Sequence, residues 1–395
     1  MIAKKQLEEF RNGFSQIDSF ANFQWGGYSS KPVRVLEATE KWQRYEGVLP
    51  SSPEFHKNVT TQRLILKTKL SELLNCTCEE IALTGHTTAG IDMVAWGLDW
   101  IPGDVIVLTK HEHPANILPW YSLAKRFGCK VIFLDALQDD QEMIRQLKSL
   151  FSANTCKVMA ISHVSRNTGY RLPVEQMCQV AREHNVFSLI DGAQSVGNIA
   201  VDFNAIGCDA YTFCGHKWLF GPQGTGALFI AKKSMEKIYP IWVGSKSQIS
   251  YDFYGNVDWK PTMERYEFGT LATSLESGWL EALVMLSEIG YEQIFETIAL
   301  VTKRLKHTII QQGLVDVITP MDTALSSGIF VIDLRGEDEV EFSRYAWSNA
   351  KVQVSPLPCK SRIRICNHIV NSASDHEKLL QVVESFMTSK KRKSI

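Results

Sequence analysis

VFSLIDGAQSVG (186–197) and, shortly after it, AYTFCGHKWLFGPQGTGALFIA (210–231) decide the fold. They contain the apolar runs VFSLID (186–191), AYTFCG (210–215) and GALFIA (226–231), rich in β-branched and large apolar residues without polar alternation. Strands buried on both faces of a mainly parallel sheet have this texture. Asp191 closes the first run, and Lys217 follows the second, just ahead of the glycine-rich GPQGTG. Open α/β sheets bind ligands at the carboxyl ends of their strands, so both charges should point into one crevice. Taken singly, a strand-end aspartate caps a helix and a lysine is solvated. Taken together, beside a glycine-rich loop, they read as a ligand site.

Working outward, the same texture recurs in IALT (81–84), DVIVLT (104–109), KVIFLD (130–135) and KVMAISHV (157–164), with amphipathic segments such as EQMCQVAREH between runs. An α/β domain with helices on both faces of its sheet is expected. After residue 272 a long amphipathic stretch leads into GIFVIDLRG (328–336) and a short αβ pattern. The expected organisation is an N-terminal segment (1–20), a large domain (21–271), a smaller α+β domain (272–388) and a basic tail (389–395). Lys390, Lys391, Arg392 and Lys393 in that tail read as a solvated, frayed end.

A chain of 395 residues exceeds what one core usually serves, since single cores stop growing near roughly 250–300 residues. With 42 Lys plus Arg against 43 Asp plus Glu, the net charge of −1 offers no footprint for nucleic acid or an anionic membrane. No run approaches the roughly 20 apolar residues of a spanning helix, and MIAKKQLEEFRNGF lacks a signal-like apolar core. The nine cysteines are odd in number and scattered, which reads as reduced thiols in the cytoplasm. Cys76 and Cys78 lack a second pair at metal-ligand spacing, and His111 and His113 lack a third ligand nearby, so no metal is expected.

DGAQSVG (191–197) and FCGHKWLFGPQGTG (213–226) resemble the signature of the class V, cysteine desulfurase-like branch of fold-type I pyridoxal phosphate (PLP) enzymes, over about residues 20–385. The resemblance implies a large domain with a mainly parallel seven-stranded sheet flanked by helices, a smaller α+β C-terminal domain, and PLP as cofactor. It assigns Lys217 to the Schiff base, Asp191 to the protonated pyridine nitrogen and Gln194 to the ring hydroxyl. Thr87 and Thr88, in LTGHTTAGID (83–92), would cradle the phosphate together with His216. Cys214 stands where relatives usually carry Ser or Thr, and a thiol is a weak donor. His113, in KHEHPANILPW, would stack on the ring and serve in proton transfer.

Arg364, in SRIRICNHIVNS (361–372), matches the arginine that holds the substrate α-carboxylate, with Arg362 a weaker candidate. In SHVSRNTG (162–169), Arg166 stands where the family often has Asn, and Asn167 is the expected ring or substrate contact. Thr270, in RYEFGT, would reach the phosphate of a neighbouring subunit, which implies a homodimer. Physical chemistry agrees with these roles. A Schiff-base lysine must lose its proton, which a partly desolvated site beside a cationic ring favours. A buried carboxylate keeps the ring nitrogen protonated so that the ring absorbs charge from Cα. A planar guanidinium fixes a carboxylate through two parallel hydrogen bonds.

Within the branch, DMVAWGLDW (92–100) and the RIC-x-H pattern (364–368) are similar to the cystine/cysteine C–S lyases. The expected reaction is β-elimination on cystine, cysteine or an S-substituted cysteine, giving aminoacrylate, then pyruvate and ammonia, plus a sulfur-containing product. The alternatives are a cysteine desulfurase or selenocysteine lyase using Cys359, and a class V aminotransferase or epimerase. Cys359 lies just before Arg364, on a shorter loop than desulfurases generally carry. An idle scaffold would have no physical need to keep Lys217, Asp191, Gln194, His113 and Arg364 together.

Overall fold

The computed structural model describes residues 2–135, 139–270 and 272–393. Near the N-terminus lies the short strand β1 (Ala21–Asn22). The central sheet is formed by β2 (Ile81–Thr84), β3 (Val105–Thr109), β4 (Lys130–Leu134), β5 (Cys156–Ser162), β6 (Phe187–Asp191), β7 (Ala210–Cys214) and β8 (Gly226–Ile230). Its seven strands run in the order β2-β8-β7-β6-β5-β3-β4. All pair in parallel except β8, which is antiparallel to both of its neighbours. The seven apolar runs of the sequence are therefore the seven strands of a mainly parallel sheet, as expected.

Successive residues of these strands enter different cores. Val105 and Val107 pack against the helices Asp140–Ala153 and Val174–Glu183. Ile106 and Leu108 pack against the helices Thr87–Gly97 and Leu118–Phe127. Because side chains alternate across a strand, covering both faces removes any need for polar residues within it. The covering helices carry their own boundary signals. Asp139 accepts the Glu142 N–H at 3.0 Å as an N-cap. The helix Leu118–Phe127 ends at Gly128, whose φ of 72° permits the left-handed cap.

An exposed hairpin, β9 (Gln248–Tyr251) with β10 (Val257–Trp259), precedes two long helices, Thr273–Ile289 and Tyr291–Gln312. The second sheet contains β11 (Asp316–Val317) and β12 (Ile329–Asp333). After the helix Glu339–Ala350 come β13 (Val352–Gln353), β14 (Ser355–Pro356) and β15 (Arg362–Cys366). The order in this antiparallel sheet is β11-β12-β15-β14, while β13 pairs with β1. Phe330, Ile332, Ile363 and Ile365 form its core with Ala21 and Phe23 from the N-terminal segment and with Leu379, Val383 and Phe386 of the helix Ala373–Lys393. The chain is helical through Lys393 rather than frayed there, and Lys390 pairs with Glu337 and Glu341. The last two residues of the expected tail, 394–395, lie outside the described residues. Among the described residues no helix is long and apolar enough to cross a membrane.

Candidate active site

A cavity of about 310 Å³ opens at the carboxyl ends of β5, β6 and β7, a volume at the lower end for small-molecule sites. Asp191, the last residue of β6, lies at its floor, 5 % exposed, and accepts the Ala193 N–H at 2.9 Å. Burial raises its carboxyl above the usual range, opposed by that N–H and by the charge of Lys217. Gln194 is held from two sides: its Nε2 donates to the Gly26 carbonyl at 2.8 Å, and its Oε1 accepts the Trp218 indole N–H at 3.0 Å. Beneath them, Tyr211 on β7 joins Ser195 and His163 in a buried hydrogen-bonded chain, which Gly192 accommodates because any Cβ there would strike the Tyr211 ring. Lys217 follows β7 and also lines the cavity. The turn it opens is closed by the Phe220 N–H to the Lys217 carbonyl, and buried Phe220 takes a left-handed φ of 56°, a strained conformation of the kind that gathers at functional sites.

On one side the helix Thr87–Gly97 presents its N-terminus, with Thr87 and Thr88 in its first turn and His86 capping it by accepting the Ala89 N–H at 3.0 Å. Gly90 lets this helix approach β7, because a Cβ there would collide with Thr212. The Thr87 hydroxyl and the His216 Nδ1 are both buried without a hydrogen-bond partner. Burial, helped by Lys217 and Lys31, lowers His216 to about 4, so its ring is neutral at pH 7. Cys214 lies in the same wall, buried, its thiol pushed up by desolvation. Unsatisfied donors at a helix N-terminus form an anion site, so this wall fits a phosphate. With Lys217 and Asp191 adjoining it, the donor set fits PLP.

His113 and Arg364 line the remaining walls. His113 Nδ1 accepts the Ala115 N–H at 3.0 Å, which leaves the proton on Nε2. Desolvation and the charges of Arg166, Lys217 and Arg364 bring His113 to about 4. Alternation along β15 sends Ile363 and Ile365 into the second core and leaves Arg362, Arg364 and Cys366 on the other face. Arg364 reaches the cavity, whereas Arg362 approaches Asp333 at 3.7 Å and does not line it.

Two further expected contacts lie outside this cavity. Asn167 points its amide at the His111 carbonyl, 3.4 Å away, and Arg166 faces the cavity in its place. Thr270 is exposed on the loop before the helix Thr273–Ile289. Gly26, Gly27, Tyr28, His86 and Ser162, none of them singled out from the sequence, also line the cavity. Tyr28, 71 % exposed, stacks on His216 with centroids 6.1 Å apart. The GGY of residues 26–28 and the histidine in LTGHTTAG were the available signals, too short to interpret alone. No group of three or more residues suited to a metal occurs among the described residues.

The Aminotransferase class-V family matches residues 23–354, and the chain belongs to that family. A cysteine desulfurase of Salmonella newport (strain SL254) is 33 % identical over 285 residues, 70 % of this chain and 68 % of that protein. Such matches span about two thirds of the length of the curated relatives. Among solved structures, the cystine C–S lyase C-DES in complex with its reaction product cysteine persulfide is 27 % identical, with a TM-score of 0.85 covering 94 % of this chain and 98 % of that one. A C-DES variant with glycine covalently linked to its PLP-cofactor, also 27 % identical over the same shares, gives 0.86.

Proposed function

We propose that this protein is a PLP-dependent carbon–sulfur lyase that performs β-elimination on cystine, cysteine or an S-substituted cysteine, yielding pyruvate, ammonia and a sulfur-containing product. The cofactor is pyridoxal 5′-phosphate, in keeping with the family and with the cofactor carried by C-DES. Thr87, Thr88 and His216 would hold its phosphate, Asp191 its ring nitrogen and Gln194 its ring hydroxyl. When bound, it supplies an electron sink for negative charge developing at the substrate Cα.

Arg364 orients the substrate by binding its α-carboxylate, which selects the Cα bond that reacts. Lys217 Nζ takes the Cα proton. His113, neutral at pH 7 with its proton on Nε2, would stack on the cofactor ring and could pass a proton. Thr270 would complete the phosphate site of a second copy in a homodimer. Nine unpaired cysteines fit a reducing, cytoplasmic setting.

One observation favours elimination over sulfur transfer to the protein: no cysteine is placed to receive sulfur. Cys359 sits in a turn closed by the Leu357 N–H to the Arg362 carbonyl and the Arg362 N–H to the Cys359 carbonyl, and it does not line the cavity. Cys214 does line it, but is 3 % exposed with a raised thiol. Because the curated relatives are named cysteine desulfurases, desulfuration is the second reading. Incubating the holoenzyme with cystine, cysteine and S-substituted cysteines while measuring pyruvate, sulfide and keto acids separates them. Pyruvate without added reductant is expected. Sulfide that requires reductant and disappears in Cys359→Ser overturns elimination, as does conversion of glutamate or alanine to a keto acid without pyruvate from any sulfur substrate.

A further inference from the structure

Lys217, Arg166 and Arg364 bring three cations to one cavity, where Asp191 is the only lining carboxylate among the described residues. Neither guanidinium has an ion-pair partner among the described residues, and the Nε of each is buried without an acceptor. Arg364 is 5 % exposed, with a single long contact to the Ser355 hydroxyl at 3.5 Å. Arg166 is held below its usual range by desolvation and by the charge of Arg364, so the two groups face the same space and repel. A partly desolvated guanidinium with a buried, unpaired Nε and no counter-ion is costly, and a neutral isostere at position 166 would relieve that cost. The phosphate-binding wall lies elsewhere, at the helix Thr87–Gly97 and His216, and Asp191 adjoins Lys217. One substrate carboxylate compensates Arg364 and leaves Arg166 in surplus.

We infer that Arg166 is a specificity-determining residue that receives a second anionic group at the side-chain end of the substrate. The preferred substrates are then cysteine derivatives with a carboxylate, sulfinate or sulfonate beyond the β-carbon. A guanidinium fork suits any of these planar or pyramidal oxyanions. The assignment rests on the lyase reading for the bond that breaks, and on the charge balance of the cavity for the group that is recognised.

The test compares S-carboxymethyl-L-cysteine with its neutral isostere S-carbamoylmethyl-L-cysteine on the holoenzyme, with kcat/KM read from pyruvate. The wild type should favour the acid by at least about tenfold, the scale of a desolvated charge pair. Arg166→Gln should bring the two substrates to within about twofold, whereas Arg364→Gln should lower both and keep their ratio. A wild-type ratio near one, or loss of both substrates by the same factor in Arg166→Gln, overturns the assignment, the latter because Arg166 would then share the α-carboxylate. Binding of glutarate and of its monoamide, followed by calorimetry, supplies a readout independent of turnover. Tighter binding of glutarate that vanishes in Arg166→Gln upholds the assignment even if neither cysteine derivative yields pyruvate, an outcome that would count only against elimination. Equal binding of the two in the wild type overturns it.

Discussion

Two groups of charge in this protein, one buried and one lining the cavity, are balanced in opposite ways. Arg63 and Lys67, on the helix Pro53–Leu74, meet Glu267 and Glu276, with side-chain exposures between 7 % and 11 %. Two cations face two carboxylates, Arg63–Glu267 at 2.6 Å and Lys67–Glu267 at 2.8 Å. Burial raises Glu276 despite Arg63, while at Glu267 the charges of Lys67 and Arg63 outweigh burial and hold the carboxyl below the usual range. In the cavity, by contrast, Lys217, Arg166 and Arg364 line a space in which Asp191 is the one carboxylate among the described residues. The first group carries its own counter-charges and ties a helix to a loop. The second is left with positive charge in surplus, which only a ligand can neutralise. Balance of charge thus separates a structural cluster from the candidate site.

The comparison breaks if substitutions in the two groups have the same consequence. Lys217→Ala should cut turnover by about ten-thousandfold or more and remove the lysine-linked band from the visible spectrum of the cofactor-loaded protein. Compared as cofactor-free proteins, the variant should melt at a temperature equal to or above that of the wild type, because a cation without a counter-charge is removed. Asp191→Ala should retain cofactor, judged by fluorescence and phosphate content, while kcat falls about a thousandfold. An unchanged rate in that cofactor-loaded variant removes Asp191 from the reaction. In the balanced cluster, Glu267→Ala strands Lys67 and should destabilise the fold by about 3 kcal/mol or more, read from urea unfolding.

Acid sharpens the contrast further, because His163 and His368 are buried and lowered to about 3, both chiefly by desolvation. The unfolded chain binds these protons near pH 6.5 and the folded chain does not. Their contribution is therefore present above that pH and is lost as pH falls toward 3. At pH 5 each should cost about 2 kcal/mol of stability relative to pH 7.5, seen as a lower urea midpoint. A midpoint that stays level from pH 7.5 to 5 contradicts the neutral burial of both rings. The smallest effect is expected from Cys359→Ser, which should change pyruvate formation by less than about twofold.

Much of the cavity was legible because its residues sit beside the ends of strands and helices whose patterns are strong. Asp191, Gln194, Cys214, His216 and Lys217 follow apolar runs, and Thr87 and Thr88 open a helix after β2. Arg166 and Asn167 were not resolved by pattern. In their tight loop Ser165 Oγ accepts the Asn167 and Thr168 N–H groups, and the Gly169 N–H returns to the Ser165 carbonyl. Such a turn has no side-chain period, so which neighbour faces the ligand depends on backbone geometry. Gly26, Gly27 and Tyr28 were illegible for another reason: their segment reaches the cavity through contacts with Gln194, His216 and Cys366, all distant in sequence.

By itself the sequence determined the sheet, because strands covered on both faces must be continuously apolar, and it pointed to the chemistry proposed at the strand ends, because few residue types can perform it. The reversal of β8 and the attachment of β1 to β13 came from tertiary structure, since an apolar run carries no direction. So did the charge balance. Arg63, Lys67, Arg166 and Arg364 are alike in sequence as basic residues, and what distinguishes them is whether a carboxylate from a remote part of the chain has folded against them.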